Sequence, residues 1–200
     1  MHFLVKILFV LPLLASAHAR RKDYGNDLHC PEDFHVGFVH NSYTYNAPVD
    51  KFTNITKSFY DVSWYGGAVV SKTTGTDNVP GATRAGNLDG YFLETLTAYS
   101  FGPSGLEYTV RGDPFTYALP NSTAVPVRFS GYVEALRIQG ICSGRATYID
   151  VITYVCSADK VTGYDWWYTA HEGVFPALAA KMGATVMAGD CPQETRCYKD

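Results

Sequence analysis

Hydrophobic and polar positions change rhythm twice along this chain, and the changes mark out its elements. From Phe34 to Tyr45, apolar and aromatic residues mix with Thr, Ser and Asn, which predicts a half-buried strand. Behind Pro48, the residues Val49, Phe52, Ile55 and Phe59 recur at helical spacing, predicting short helices with proline in the first turn. Gly66-Gly67 ends this piece. Strand-like segments follow at 68–72, 83–88, 91–101, 106–111, 125–138 and 145–156. Between them, Asp89-Gly90, Gly102-Pro103-Ser104-Gly105, Gly112-Asp113-Pro114 and Ser143-Gly144 supply turn chemistry.

The rhythm then becomes helical again. Tyr164, Tyr168, His171, Phe175, Leu178 and Met182 form one stripe, predicting a long helix over 164–182 with Gly183 as its stop. Pro176 lies inside this run and removes the bond to the carbonyl of Glu172, so a kink is expected there. The order is strand, short helices, six strands, long helix. It predicts an α+β fold with a mainly antiparallel sheet and helices on one side.

The first residues read as an address. Lys6 precedes the apolar run Ile7 to Leu14, and Ala15-Ser16-Ala17 offers the small residues of a cleavage site. We therefore expect a signal peptide over 1–17, an N-terminal extension over 18–33 with a dibasic pair at Arg20-Arg21, a domain over 34–183, and a cysteine-containing tail over 184–200. A membrane-spanning helix needs about 20 apolar residues, and no stretch reaches that length, so the expectation is a secreted protein without a transmembrane segment. In an oxidising compartment Cys30, Cys142, Cys156, Cys191 and Cys197 read as disulfide formers. Their odd number leaves one over or joins two chains, and their spacings lack the short paired intervals of a zinc site. Asn54-Ile55-Thr56 and Asn121-Ser122-Thr123 are glycosylation sequons.

Composition narrows the function classes. Two hundred residues, 46% hydrophobic and 18% charged, suit one folded domain rather than a disordered chain. A net charge of −3 argues against nucleic acid as a partner. No phosphate loop, dinucleotide fingerprint, Gly-x-Ser-x-Gly elbow or metal-ligand spacing is present, so no cofactor and no metal are expected. Arg84 and Glu94 fall in adjacent predicted strands and read as an ion pair. Asp150, flanked by Ile149 and Val151, needs a partner or solvent, and burial would make it a proton donor or acceptor. His171 sits on the apolar stripe of the long helix, where an imidazole is either a satisfied core residue or an acid–base group.

Several local patterns, in this order, resemble the START-like helix-grip superfamily, which includes birch-pollen-allergen-like and polyketide cyclase/dehydrase-like proteins. They are Tyr45-Asn46-Ala47-Pro48-Val49-Asp50-Lys51-Phe52, Pro80-Gly81-Ala82-Thr83-Arg84, Leu93-Glu94-Thr95-Leu96, Leu106-Glu107-Tyr108-Thr109-Val110, the hairpin from Phe129-Ser130-Gly131 to Tyr148, and the final amphipathic helix. The resemblance implies a curved seven-stranded sheet wrapped around the long helix, with an apolar cavity between them. It also implies a small hydrophobic guest: a lipid, a sterol or a polyketide-like molecule.

Alternation then proposes a lining, since residues two apart on a strand share a face. Tyr43 and Tyr45 have the parity that the family points inward; Tyr132, Glu134 and Leu136 form one further row, and Tyr148, Asp150, Ile152 and Tyr154 another. The long helix contributes Tyr168, His171, Phe175 and Leu178. The helix-grip arrangement pairs the first strand with the last, bringing Cys30 toward Cys156. Cys142, at the far end of that last strand, lies more than about 30 Å from Cys156 at 3.3 Å per residue, which excludes a bridge between them. Cys142 is left to meet Cys191 or Cys197, with a local Cys191–Cys197 bridge equally open. Three functions follow: a secreted binder of a hydrophobic molecule, a cyclase, dehydratase or pericyclic enzyme using Asp150 and His171, and an interaction protein with no ligand.

Overall fold

A computed structural model describes residues 28–88, 90–118, 126–189 and 191. The expected signal peptide, most of the N-terminal extension, Asn121 and Cys197 lie outside the described residues. The chain runs β1 (His35–Tyr45), α1 (Val49–Thr56), β2 (Val69–Thr74), β3 (Thr83–Asn87), β4 (Tyr91–Gly102), β5 (Gly105–Gly112), β6 (Phe115–Tyr117), β7 (Val127–Ile141), β8 (Ala146–Ser157) and α2 (Lys160–Lys181). The strands form one antiparallel sheet in the order β1-β8-β7-β5-β4-β3-β2, and β6 pairs with the start of β7. The first strand does pair antiparallel with the last, Tyr43 opposite Ile149 and Val36 opposite Cys156. The extra strand, β6, spans three residues, too few for alternation to reveal.

The sheet curves around α2, and the core lies between them. Val39, Phe52, Phe59, Leu96, Val110, Ile138, Ile149 and Val155 are fully buried there, each side chain stabilising the fold by roughly 1.5–3 kcal/mol. A single helix, α1, follows β1; it buries Val49, Phe52, Thr53 and Thr56, while Ile55 faces outward. Thr56 replaces Ile55 on the inner face because its hydroxyl donates to the Phe52 carbonyl and needs no outside partner.

The long helix begins one turn earlier than its apolar stripe suggested. Asp159 caps it, its carboxylate accepting from the Thr162 N–H at 2.7 Å. Those hydrogen bonds hold the Asp159 carboxyl below its ordinary range. The buried stripe is Gly163, Trp167, His171, Val174, Phe175 and Leu178. Tyr168 does not belong to it: it stacks on Tyr164, 43% exposed, with ring centroids 5.7 Å apart. Gly163 lets the first turn press on β8, since a Cβ there would stand 2.3 Å from Ser157 Oγ. The helix continues through Pro176 to Lys181, and Gly183 follows with a left-handed φ of +66°.

Two disulfides close the molecule. Cys30 is bonded to Cys156 and Cys142 to Cys191. The second bond settles the open choice among the C-terminal cysteines, because Cys191 is thereby unavailable to Cys197. Cys142 takes the place that the local alternative gave to Cys197.

Candidate functional site

Register along the concave face assembles a buried polar floor. Arg84 on β3 stands opposite Glu94 on β4, Glu94 opposite Gly112 on β5, and Gly112 opposite Tyr132 on β7. Gly112 leaves a notch in this row, and the Tyr132 ring fills it; a Cβ on Gly112 would sit 1.9 Å from that ring. The Tyr132 hydroxyl thereby crosses β5 and donates to Glu94 Oε1 at 2.6 Å. Arg84 Nε donates to Glu94 Oε2 at 2.5 Å, its Nη1 donates to the Phe59 carbonyl at 2.7 Å, and its guanidinium lies 4.5 Å from the Phe59 ring centre. Burial opposes the Arg84 charge, but the facing Glu94 carboxylate outweighs it and holds the guanidinium above its usual value.

One row further along, Glu134 on β7 stands opposite Thr153 on β8. Thr153 Oγ1 donates to Glu134 Oε2 at 3.1 Å, and His171 Nε2 lies 3.1 Å from the same oxygen. His171 is fully buried, and its Nδ1 lies 3.0 Å from Asn41 Oδ1 on β1. Burial, reinforced by the two glutamates, raises the phenols of Tyr65 and Tyr132 well above their ordinary value. Tyr108 also rises, first through burial, although Arg84 works against it. All three therefore remain protonated hydroxyls near neutral pH.

Above this floor opens a cleft with aromatic walls. Tyr65 and Ala68 come from the segment between α1 and β2, Tyr91 and Phe92 from the start of β4, Phe115 from β6, and Trp166 and Trp167 from the first half of α2. Arg84, Glu94, Tyr108, Tyr132 and Glu134 form its polar part. Counted with its open mouth the cleft spans about 610 Å³, and the room inside for water-sized occupants is about 60 Å³.

The residues expected to line an interior site divide in three. Tyr132 and Glu134 reach the cleft. Tyr43, Tyr45, His171, Phe175 and Leu178 also face inward, but they pack into the core beyond it, Tyr43 against Phe175 at 5.5 Å and Tyr45 against Phe52 at 5.5 Å. Tyr148, Asp150 and Tyr154 lie on the opposite face of the sheet. Asp150 stands opposite Ser42, accepts from Tyr148 Oη at 3.2 Å and meets the half-exposed His40 at 2.6 Å; Tyr154 packs on Phe38, itself 51% exposed. The inner row of β8 is Thr147, Ile149, Val151, Thr153 and Val155, so the sheet separates Asp150 from His171. The lining residues that alternation missed include Tyr65, Tyr91, Phe92, Tyr108, Phe115, Trp166 and Trp167; the Trp166-Trp167 doublet was the available signal. The cleft also lies away from Pro176, about 14 Å along the helix from Trp167 at 1.5 Å per residue, so the proline does not border it.

Gly112 gives a direct test of this construction. Gly112→Ala is expected to displace the Tyr132 ring and lower stability by about 1–3 kcal/mol. Tyr132→Phe should then be costly in the native background and nearly silent beside Gly112→Ala, because the bond to Glu94 is already lost. Equal costs in both backgrounds, from urea unfolding, would contradict the notch.

No family model and no curated protein matches this sequence. Solved structures do. A protein from Nitrosospira multiformis is similar at a TM-score of 0.56 and 23% identity, over 72% of this chain and 95% of that one. A hypothetical protein from Helicobacter pylori is similar at 0.50 and 10% identity, over 72% and 87%. Ara h 8.0201 is similar at 0.49 and 11% identity, over 74% and 97%. At these identities the likeness concerns the fold. A curved antiparallel sheet closed on a long C-terminal helix, with a short helix after the first strand, is the START-like helix-grip fold, and this chain has it.

Proposed function

We propose that this is a secreted protein that binds a small hydrophobic molecule in the cleft between the first half of α2 and the sheet. The cleft carries the reading: tryptophan, tyrosine and phenylalanine walls stand over a few fixed polar groups, the usual composition of a small-molecule site. A planar guest of the lipid-, sterol- or polyketide-like class suits walls of this kind. Free room of about 60 Å³ is small beside ligand pockets of roughly 300–1,000 Å³, so wall side chains move aside when the guest enters.

Secretion is supported by the apolar leader, by the two disulfides and by the exposed position of Asn54 as a glycan acceptor. No helix among the described residues is long and apolar enough to cross a membrane. The enzyme reading needed Asp150 and His171 to meet at one ligand, and they lie on opposite faces of the sheet. Binding therefore stands ahead of cyclisation, dehydration or pericyclic catalysis.

Native mass spectrometry of the secreted protein is expected to show a co-purified small molecule. An apolar fluorescent probe should bind and perturb the emission of Trp166 and Trp167. Ala68, 6% exposed in the cleft wall, is the position to fill. Ala68→Phe should weaken probe binding about tenfold or more with the circular dichroism unchanged, as expected when a cavity is occupied from within. A folded protein that carries no molecule and binds no apolar probe would remove this reading and favour an interaction protein.

A further inference from the structure

The sheet ends on two edge strands, β1 and β2, and they are built differently. β2 has six residues, a bulge between Val70 and Lys72, and that lysine within the strand. Bulges and lysines keep edge strands from pairing with other chains. β1 has eleven residues in unbroken register with β8, and the run His35–Tyr45 contains no lysine, arginine, aspartate, glutamate or proline.

The C-terminal segment shows which backbone groups of β1 point away from the sheet. Met187 N–H donates to the Thr44 carbonyl at 2.9 Å, Asn46 N–H donates to the Thr185 carbonyl at 2.8 Å, and Val186 bridges Tyr45 between them. Thr44 and Asn46 therefore face outward. In an antiparallel strand every second residue turns both its N–H and its C=O to the same side, so Val36, Phe38, His40 and Ser42 face outward too. Beyond Met187 the chain departs toward Cys142, to which Cys191 is bonded. Among the described residues, no other backbone hydrogen bond reaches the outward side of β1 over 36–42.

Apolar side chains flank this edge on both sides. On the convex face, Val36 and Phe38 are 65% and 51% exposed. On the concave face runs the first half of α2: Asp159 is within electrostatic reach of His35, and Tyr168 and Glu172 are within reach of Tyr43. Val161 and Tyr164 stand on the same helix face as Tyr168, and both are exposed.

We propose that β1 is a dimerisation edge, and that its occupant is β1 of a second copy, paired antiparallel about a twofold axis at Val39. The four outward residues lie symmetrically about Val39. The axis therefore sets Val36 opposite Ser42 and Phe38 opposite His40 of the second copy, each pair exchanging two hydrogen bonds. This register stops short of Thr44, whose carbonyl already accepts from Met187. With no lysine, arginine or carboxylate on the strand, its own copy meets it without like charges opposed. The same rotation turns the Val161–Tyr164 face of one α2 toward that of the other, adding apolar burial to the backbone pairing. Such a contact is isologous and closes as a dimer, while the bulge and lysine of β2 keep the other edge from extending it.

The test uses the full secreted chain with both disulfides intact and with Cys197→Ser, so that no dimer is held by that thiol. Sedimentation is expected to show a monomer–dimer equilibrium in the micromolar range. Hydrogen exchange followed by NMR should show the amides of Val36, Phe38, His40 and Ser42 slowing about tenfold as the dimer forms. Phe38→Lys, at an exposed position that leaves the ladder to β8 intact, should weaken dimerisation about tenfold or more with the circular dichroism unchanged. A monomer at every concentration overturns the proposal. So does a dimer in which the four amides exchange freely, because its interface then lies elsewhere. Protection of the four amides in the dilute monomer overturns it as well, since another segment of the same chain then covers the edge. Dimerisation undiminished by Phe38→Lys would remove Phe38 from the contact and overturn the register. Sedimentation and exchange need no substitution in β1, so a misfolded Phe38→Lys leaves the test standing.

Discussion

Replacing Arg84 with methionine is expected to reduce the unfolding free energy by about 3–5 kcal/mol, the range for breaking a buried ion pair on one side. Arg84 is 6% exposed and Glu94 8%. Without the guanidinium, Glu94 keeps only the Tyr132 hydroxyl, and the Phe59 carbonyl and ring lose their cation. The double change Arg84→Met with Glu94→Leu should be milder than the single one, since it leaves no unpaired charge. Urea unfolding followed by circular dichroism reads both. A loss below about 1 kcal/mol for Arg84→Met would mean that water reaches Glu94 and that the floor is not sealed.

Removing the Cys30–Cys156 bond should have an effect of similar size. The bond spans 126 residues of sequence, and in the chain-entropy account such a loop corresponds to about 5 kcal/mol. The Cys142–Cys191 bond spans 49 residues and corresponds to about 4 kcal/mol. Cys30→Ala with Cys156→Ala is therefore expected to melt well below the native protein, and slightly below Cys142→Ala with Cys191→Ala. Unchanged melting on reduction would show that neither crosslink restrains the unfolded chain.

The sequence makes the architecture readable because its periods are clean where they matter. The Phe34–Tyr45 mixture, the Pro48 helix start and the Gly183 stop all correspond to boundaries in the structure. The face of β8 was not readable, and its residues explain why. Its inner row carries Thr147, Thr153 and Ser157, while its outer row carries Tyr148, Ile152 and Tyr154. Ile149, Val151 and Val155 share the inner row and Asp150 the outer one, so hydrophobicity alone does not separate the two faces. The inner hydroxyls are tolerated because each has an acceptor in the fold, Thr147 donating to the Ala47 carbonyl, Thr153 to Glu134 and Ser157 to the Asp159 carbonyl. Tyr164 and Tyr168 misled for a related reason: the run from Tyr164 to Tyr168 is aromatic on adjoining helix faces, and the residue that sets the contact is the side-chain-free Gly163. Arg84 and Glu94 were readable as a pair, since opposite charges stood in neighbouring strands. Their place in the floor of a cleft depends on Tyr132 crossing Gly112, a three-strand relation that no local pattern carries.

The helix that closes the cleft is a beam fixed at both supports. At its start, Asp159 and Ser157 are hydrogen-bonded to each other and Gly163 is wedged on Ser157. Past its end, Val186 bridges to Tyr45, Met187 N–H donates to the Thr44 carbonyl, and Cys191 is bonded to Cys142. A beam held in this way does not swing like a door. The opposite rim carries Leu88, Gly90 and Tyr91, the last 61% exposed, beside the opening, and neither disulfide among the described residues reaches it. On the proposed binding reading, a change of guest is to be engineered on that rim, at Leu88, Gly90 and Tyr91, while the helix and both crosslinks stay as they are.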